Sequence, residues 1–221
     1  MATRLHADGR RARNSADALL DAAGALIRER DSVNITFSDI TRKSGLNSAL
    51  IHYRFGGKAG LLLALLEPDV GDIFSDLDRL VAADLGAVEK LRRHIHATIR
   101  FYFRHPYANR LAAALAAETG SAVAQHVTER FTRPLANAQA AILSLGVAEG
   151  VFRPIDPMFF YFSLVGMCDH LFSARHALKW AFGIDDIDDS LRRRYADHVV
   201  ALLMESVLIE PVRPGGSARG V

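Results

Sequence analysis

The 221 residues are half apolar and about a quarter charged, a balance that suits a globular protein with a sizeable core. The lone cysteine, Cys168, excludes an intrachain disulfide and fits a reducing, cytoplasmic setting; the apolar runs are too short and too interrupted for a secretory signal or a membrane span. The formal charge is only +2, yet residues 1–60 hold ten Lys/Arg against six Asp/Glu while the remainder holds seventeen against nineteen, so a basic head sits on a slightly acidic body.

The first helix is announced by apolar residues at Ala16, Leu19, Leu20, Ala23, Leu26 and Ile27, with Ser15 as its expected cap and its end near Asp31. Residues 1–14 then form an arm carrying Arg4, Arg10, Arg11 and Arg13. Thr36, with Asp39 three residues on, spells a short capping box for a second helix over roughly 37–43, which Gly45 stops. Asn47 or Ser48 caps a third short helix ending near Arg54, and Gly56-Gly57 break the chain before Lys58 opens a long apolar helix bent at Pro68. Further helices are expected near 87–104, 108–119, 122–147, 157–182 and 190–208, followed by a Pro/Gly-rich tail over 211–221 expected to be disordered. The fold class is therefore all-α: a three-helix head over 1–57 joined to a larger helical body over 58–210.

Helix 36–43, turn 44–47 and helix 48–54 have the proportions of a helix-turn-helix. Phe37, Ile40, Leu46, Ile51 and Phe55 can face inward against Leu19, Ala23 and Leu26. That leaves Ser48, Ala49, His52 and Tyr53 outward, where a small Ala49 would let the backbone approach a major groove. The starts of the second helix (Thr36, Ser38) and fourth helix (Lys58), with Asn47 and Arg54 nearby, are candidate phosphate contacts.

The run from Ala22 to Leu66 resembles the DNA-binding head of TetR-type transcriptional regulators, through AAGALI, TFSDITRKSGL and IHYRFGGKAGLL. The resemblance implies that Thr36, Tyr53 and Lys58 hold phosphates and that Ser48, Ala49 and His52 face bases or backbone. It further implies a homodimer that releases a pseudo-palindromic DNA operator when a small-molecule effector binds the body. Two departures stand out: His52 occupies the family's usual Tyr position, and Asp31 lies where a glycine usually ends the first helix. A side chain with a Cβ tolerates the required left-handed turn less well.

No catalytic constellation is legible. The Gly56-Gly57-Lys58 triplet has His52 where a phosphate loop needs glycine and Ala59 where it needs Ser/Thr. His94 and His96 diverge by about 200° on a helix and cannot share a metal, so one is expected at the surface and one partly packed. No cofactor or metal is expected. The apolar candidates for an effector pocket are Phe101, Phe103, Phe131, Phe160, Met167 and His170, with Cys168 nearby, and plain helical core explains any one of them as well. Gly166, Ser173 and Ala177 form a small-residue stripe that, with His198, Leu202, Leu203 and Leu208, suits a two-fold helical interface, or alternatively an intrachain core. Cys168-Asp169-His170 interrupts an apolar helix and is open to either a ligand or a water-facing role. The rival readings are an all-helical small-molecule binder or enzyme with no DNA role, and an activator without effector.

Overall fold

The computed structural model describes residues 2–117 and 122–209, without the side chains of 2–14 and Asp69; the arm cations Arg4, Arg10, Arg11 and Arg13 and the tail over 211–221 lie outside the described residues. Eleven helices are described: α1 (Ala2–Arg30), α2 (Phe37–Ser44), α3 (Ser48–Phe55), α4 (Lys58–Ala82), α5 (Ala87–Arg104), α6 (Ala108–Ala116), α7 (Ala122–Val127), α8 (Arg133–Ala148), α9 (Pro157–Ser173), α10 (Arg175–Phe182) and α11 (Asp189–Val207). Extended chain is limited, among the described residues, to one antiparallel bridge between Phe152 and Leu208.

The short head helices follow their local signals. Asp39 N–H donates to Thr36 Oγ1 at 3.1 Å and Thr36 N–H donates to Asp39 Oδ2 at 3.0 Å, completing the capping box of α2. Gly45 ends α2 at φ +70°, a conformation that its missing side chain permits. Asn47 rather than Ser48 caps α3, its Oδ1 accepting from Ala49 N–H at 2.9 Å. Gly60 is required for a different reason: a Cβ there would lie 1.8 Å from the Phe55 carbonyl oxygen, so only glycine lets α4 start against the end of α3. Ser15, expected to cap the first helix, lies inside α1, whose backbone runs unbroken from Ala2.

Packing divides the apolar side chains into two clusters, and the division does not fall at residue 57. Leu19, Ala23, Ile27, Ile40 and Ile51 of the head share one cluster with Leu61, Leu62 and Leu66 of α4 and with Leu111 and Leu115 of α6. Phe37, Leu46, Leu50 and Phe55 pack against it part-buried. The second cluster is built around α5, where Leu91, Ile95 and Ile99 are fully buried against α8, α9 and α11. Lys90, itself buried, reaches back so that its ammonium donates to the Val81 carbonyl at 2.6 Å and closes the C-terminal end of α4. Pro68 lies within α4, which continues through it.

Two elements depart from the expected spans. The helix expected over 157–182 is split at Ala174 (φ −102°, ψ 41°) into α9 and α10. The helix expected over 122–147 holds a wide turn at Thr128–Thr132 in which Arg133 N–H bonds the Thr128 carbonyl five residues back. The cause sits next in the sequence: Pro134 has no N–H for the Arg130 carbonyl, and its ring would clash with it in a regular turn.

Candidate nucleic-acid interface and internal cavity

On α3 a single residue, Ile51, is fully buried, and it fixes which way the helix faces. Ser48, Ala49, His52, Tyr53 and Arg54 are consequently exposed on the other side, with Tyr53 80% accessible. The guanidinium of Arg54 lies 5.4 Å from the Tyr53 ring centroid, so the two side chains form one cationic, aromatic edge. His52 stacks on Phe37 of α2 at 5.0 Å and 31°, which restrains its imidazole instead of leaving it free on the surface.

Charge on this face is selective. Arg30 and Arg42 both pair with Asp39 at 2.8 Å, and Lys43 pairs with Glu29 at 2.7 Å. The hydrogen bonds from Arg30 and then from Thr36 hold the Asp39 carboxyl well below its usual range. Arg54 and Lys58 make no ion pair among the described residues, so their charge is available to an external anion. One expectation changes. The Thr36 hydroxyl spends its only proton on Asp39 Oδ2 at 2.7 Å, so it acts as a cap and has no proton left for a phosphate. The first-turn amides of Phe37 and Ser38 are not used by the capping box. Asn47 is likewise exposed but uses its side-chain oxygen to cap α3.

In the body, α4, α5, α6 and the Phe131–Leu135 stretch line a half-open cavity of about 470 Å³. Its walls include Ile73, Phe74, Phe101 and Phe131, with His94, Asn109, Thr132 and Tyr161 among the polar members and Asp72, Asp76, Arg100 and Arg104 as charged ones. The wide turn places Phe131 and Thr132 on this wall. His94 is buried, at 2% exposed, where the sequence predicts one of His94 and His96 at the surface and the other partly packed, and its Nε2 lies 3.1 Å from Gln139 Nε2, an amide N–H donating to a neutral imidazole. Burial pushes the His94 imidazole down to about 4. Burial also raises the Tyr161 phenol.

Of the six residues expected to line a pocket, Phe101 and Phe131 do. Phe160 is buried core, because α9 turns that side toward α5 and α11. Phe103 faces away from the cavity, edge-on to Phe172 at 6.0 Å with Arg192 over its ring. Met167 packs beside the core and its carbonyl accepts from Tyr195 Oη at 2.6 Å, and His170 is exposed. Helical periodicity marks an apolar face without saying whether protein or empty space lies opposite. The Cys168-Asp169-His170 run resolves into three environments: a core thiol that burial pushes up, a buried carboxylate, and an exposed imidazole. Asp169 Oδ2 accepts from Asn109 Nδ2 at 3.1 Å and from Ser173 Oγ at 3.2 Å. The role of Asn109 and Asp169 escaped the sequence; a charged residue inside an otherwise apolar helix was the only trace of it.

Gly166, Ala177, His198 and Leu202 are exposed, while Ser173 is part-buried and bonded to Asp169 and Leu203 is in the core. On α9, Met158, Phe159 and Phe162 are exposed as well, and so are Trp180 and Phe182 on α10. No group of three or more metal-ligating side chains occurs among the described residues, and no described helix is long and apolar enough to cross a membrane.

Two family models match the chain: one described as bacterial regulatory proteins of the tetR family, over residues 19–65, and one described as the tetracyclin repressor-like C-terminal domain, over residues 84–212. The HTH-type transcriptional regulator BetI of Agrobacterium fabrum is 36% identical over 83 residues, which are 38% of this chain and 40% of that protein. The chain thus matches about two fifths of the length of this curated relative. Among solved structures, AibR in complex with isovaleryl coenzyme A and operator DNA superposes with a TM-score of 0.65 at 20% identity, covering 86% of this chain and 98% of that one. The transcriptional regulator FadR of Bacillus subtilis, in complex with stearoyl-CoA, superposes with a TM-score of 0.60 at 19% identity, covering 86% and 97%. At such identities the likeness is one of fold.

Proposed function

Because the chain belongs to the TetR family of bacterial regulatory proteins, we propose that it is a homodimeric, cytoplasmic transcriptional repressor released from its DNA operator by a small effector. The observation that carries the reading is the orientation of α3: Ile51 anchors one side, and Ser48, Ala49, His52 and Tyr53 present the other. Ala49 and Ser48 offer a low profile to base edges, while Arg54, Lys58 and the amides that open α2 supply phosphate contacts. Two copies would place their α3 helices in successive major grooves about 34–36 Å apart. The exposed apolar stripe of Phe159, Phe162 and Gly166 along α9, together with the exposed Ala177, Trp180, His198 and Leu202 of α10 and α11, supports pairing of two subunits through these helices.

The effector would occupy the cavity against α5. Its aromatic and aliphatic walls suit an apolar moiety, and Asn109, Thr132 and Tyr161 provide orienting polar groups. The coenzyme A thioesters held by AibR and FadR make isovaleryl-CoA and stearoyl-CoA the first probes to try. The test starts from duplex DNA selected by the protein from a random pool, measured by gel shift at stated salt. A His52→Ala/Tyr53→Ala double variant is expected to lose at least tenfold in affinity with its melting unchanged. Full retention of affinity would refute the docking. Release of the duplex by an added ligand separates a repressor of this kind from an activator without effector.

A further inference from the structure

α6 faces two places at once. Ala108, Asn109 and Ala112 line the cavity, while Leu111 and Leu115 belong to the core shared with the head. Between them stands Arg110, whose Nη1 donates to the Asp31 main-chain carbonyl at 2.9 Å and whose Nη2 bonds the Asp31 carboxylate. Asp31 is the residue that ends α1 where the family's glycine is missing. It adopts φ +47°, and the clamp from α6 is what fastens a side-chain-bearing residue in that turn. The preceding residue, Arg30, bonds Asp39 and through it Thr36, at the start of the DNA-facing helix α2.

In the same first turn of α6, the residue before Arg110, Asn109, bonds one oxygen of Asp169. The second oxygen, Oδ1, is buried with no hydrogen-bond partner among the described residues, and so is Arg110 Nε. A buried carboxylate oxygen and a buried guanidinium N–H are complementary, and each is costly to leave unsatisfied. We propose that Arg110 is the positioning residue that couples cavity to head: its guanidinium, held by Asp31 in this structure, can pass to Asp169, and loss of the Asn109 bond to Asp169 draws it from the first to the second.

The proposal rests on the effector reading above, since a cavity ligand that takes the Asn109 amide is the natural trigger. Its physical content is a competition between two carboxylates for one cation. Burial pushes the Asp169 carboxyl up, and Asn109, Ser173 and Arg110 pull it back. Removing the first of these supports leaves the Ser173 hydroxyl and then Arg110, of which only Arg110 is a cation that can move onto the carboxylate. Its departure strips Asp31 of the anchor that fastens the turn, and with it the scaffold Arg30–Asp39–Thr36 that opens α2. A ligand then shifts the head by its differential affinity for the two placements of Arg110.

Hydrogen–deuterium exchange on the full chain, without DNA or effector, tests this directly. Asp169→Asn removes the competing charge and is expected to slow exchange of amides 28–40 at least threefold. Asn109→Ala frees the Asp169 carboxylate and is expected to speed the same amides at least threefold. Both effects should vanish in an Arg110→Met background, or shrink with Arg110→Lys if the Met variant melts too low to study. Head amides that ignore both substitutions, or responses of full size without the Arg110 fork, would overturn the proposal and leave Arg110 as a plain staple. A wild-type chain that retains no selected duplex would instead sink the repressor reading, with the exchange coupling still measurable.

Discussion

The head and the body solve opposite problems with the same element. In the head, α2 and α3 are eight residues each, too short to be stable alone, and they stand because caps, glycine stops and one buried isoleucine apiece fix them on α1 and α4. Their polar faces are left open as a result. In the body, α5 buries Leu91, Ile95, Ile99 and Tyr102 along one continuous face, and three polar residues, Lys90, His94 and Thr98, are buried with them. Surface chemistry in the head and enclosed chemistry in the body follow from that difference in helix length and burial.

Substitutions can break or sharpen the contrast. The largest effect is expected in the cores: Ile99→Ala and Ile51→Ala, both fully buried, should each lower stability by about 2–5 kcal/mol in urea unfolding. Ile99 should sit at the upper end because long neighbours cannot collapse into its cavity; equal losses would erase the distinction. Next comes Arg54→Ala with Lys58→Ala, expected to reduce duplex affinity by about ten- to hundredfold and to flatten its salt dependence by about two, with the melting temperature unmoved.

Acid separates the regions further. The folded His94 has its pKa depressed to about 4 from an unfolded value near 6.5, so protons favour the unfolded chain. Its stability contribution is complete above pH 6.5 and falls away toward pH 4, a loss of about 2 kcal/mol by pH 5. Asp39 also has a depressed folded pKa, and its contribution persists until the pH drops below the ordinary carboxylate range. Between pH 7 and 5 the amides of α5 and α8 should therefore lose protection before those of α2, and His94→Gln should remove the difference. The smallest effect is Thr36→Ala, about 1 kcal/mol from the lost cap, read as a lower thermal midpoint.

The same contrast decided what the sequence could disclose. Head signals are local: Thr36 and Asp39 lie three residues apart, and Gly45 follows within the next two turns, so the helix-turn-helix is readable without knowing any partner. Ile51 against exposed His52 and Tyr53 follows from the same short register. In the body the span of α5 was legible, whereas the partner of each face was not, since Phe101 meets a cavity and Phe103 meets Phe172 two positions along the same helix. His94 and Asp169 were hidden for that reason, their partners Gln139 and Asn109 lying 45 and 60 residues away. Asp31 is the converse: its oddity was visible beforehand, and its explanation, Arg110, is 79 residues distant.

The wide turn before Pro134 amounts to one surplus residue threaded into an otherwise continuous rod. Deleting a single residue between Thr128 and Thr132 would turn the Arg133–Thr128 bond into an ordinary i→i−4 bond and leave the turns on either side in phase. Val127 would keep its place against the head-side cluster, and the cost would fall on the stretch that carries Phe131 and Thr132 to the cavity wall. That one irregularity thus reshapes the cavity wall without turning the rod that carries it.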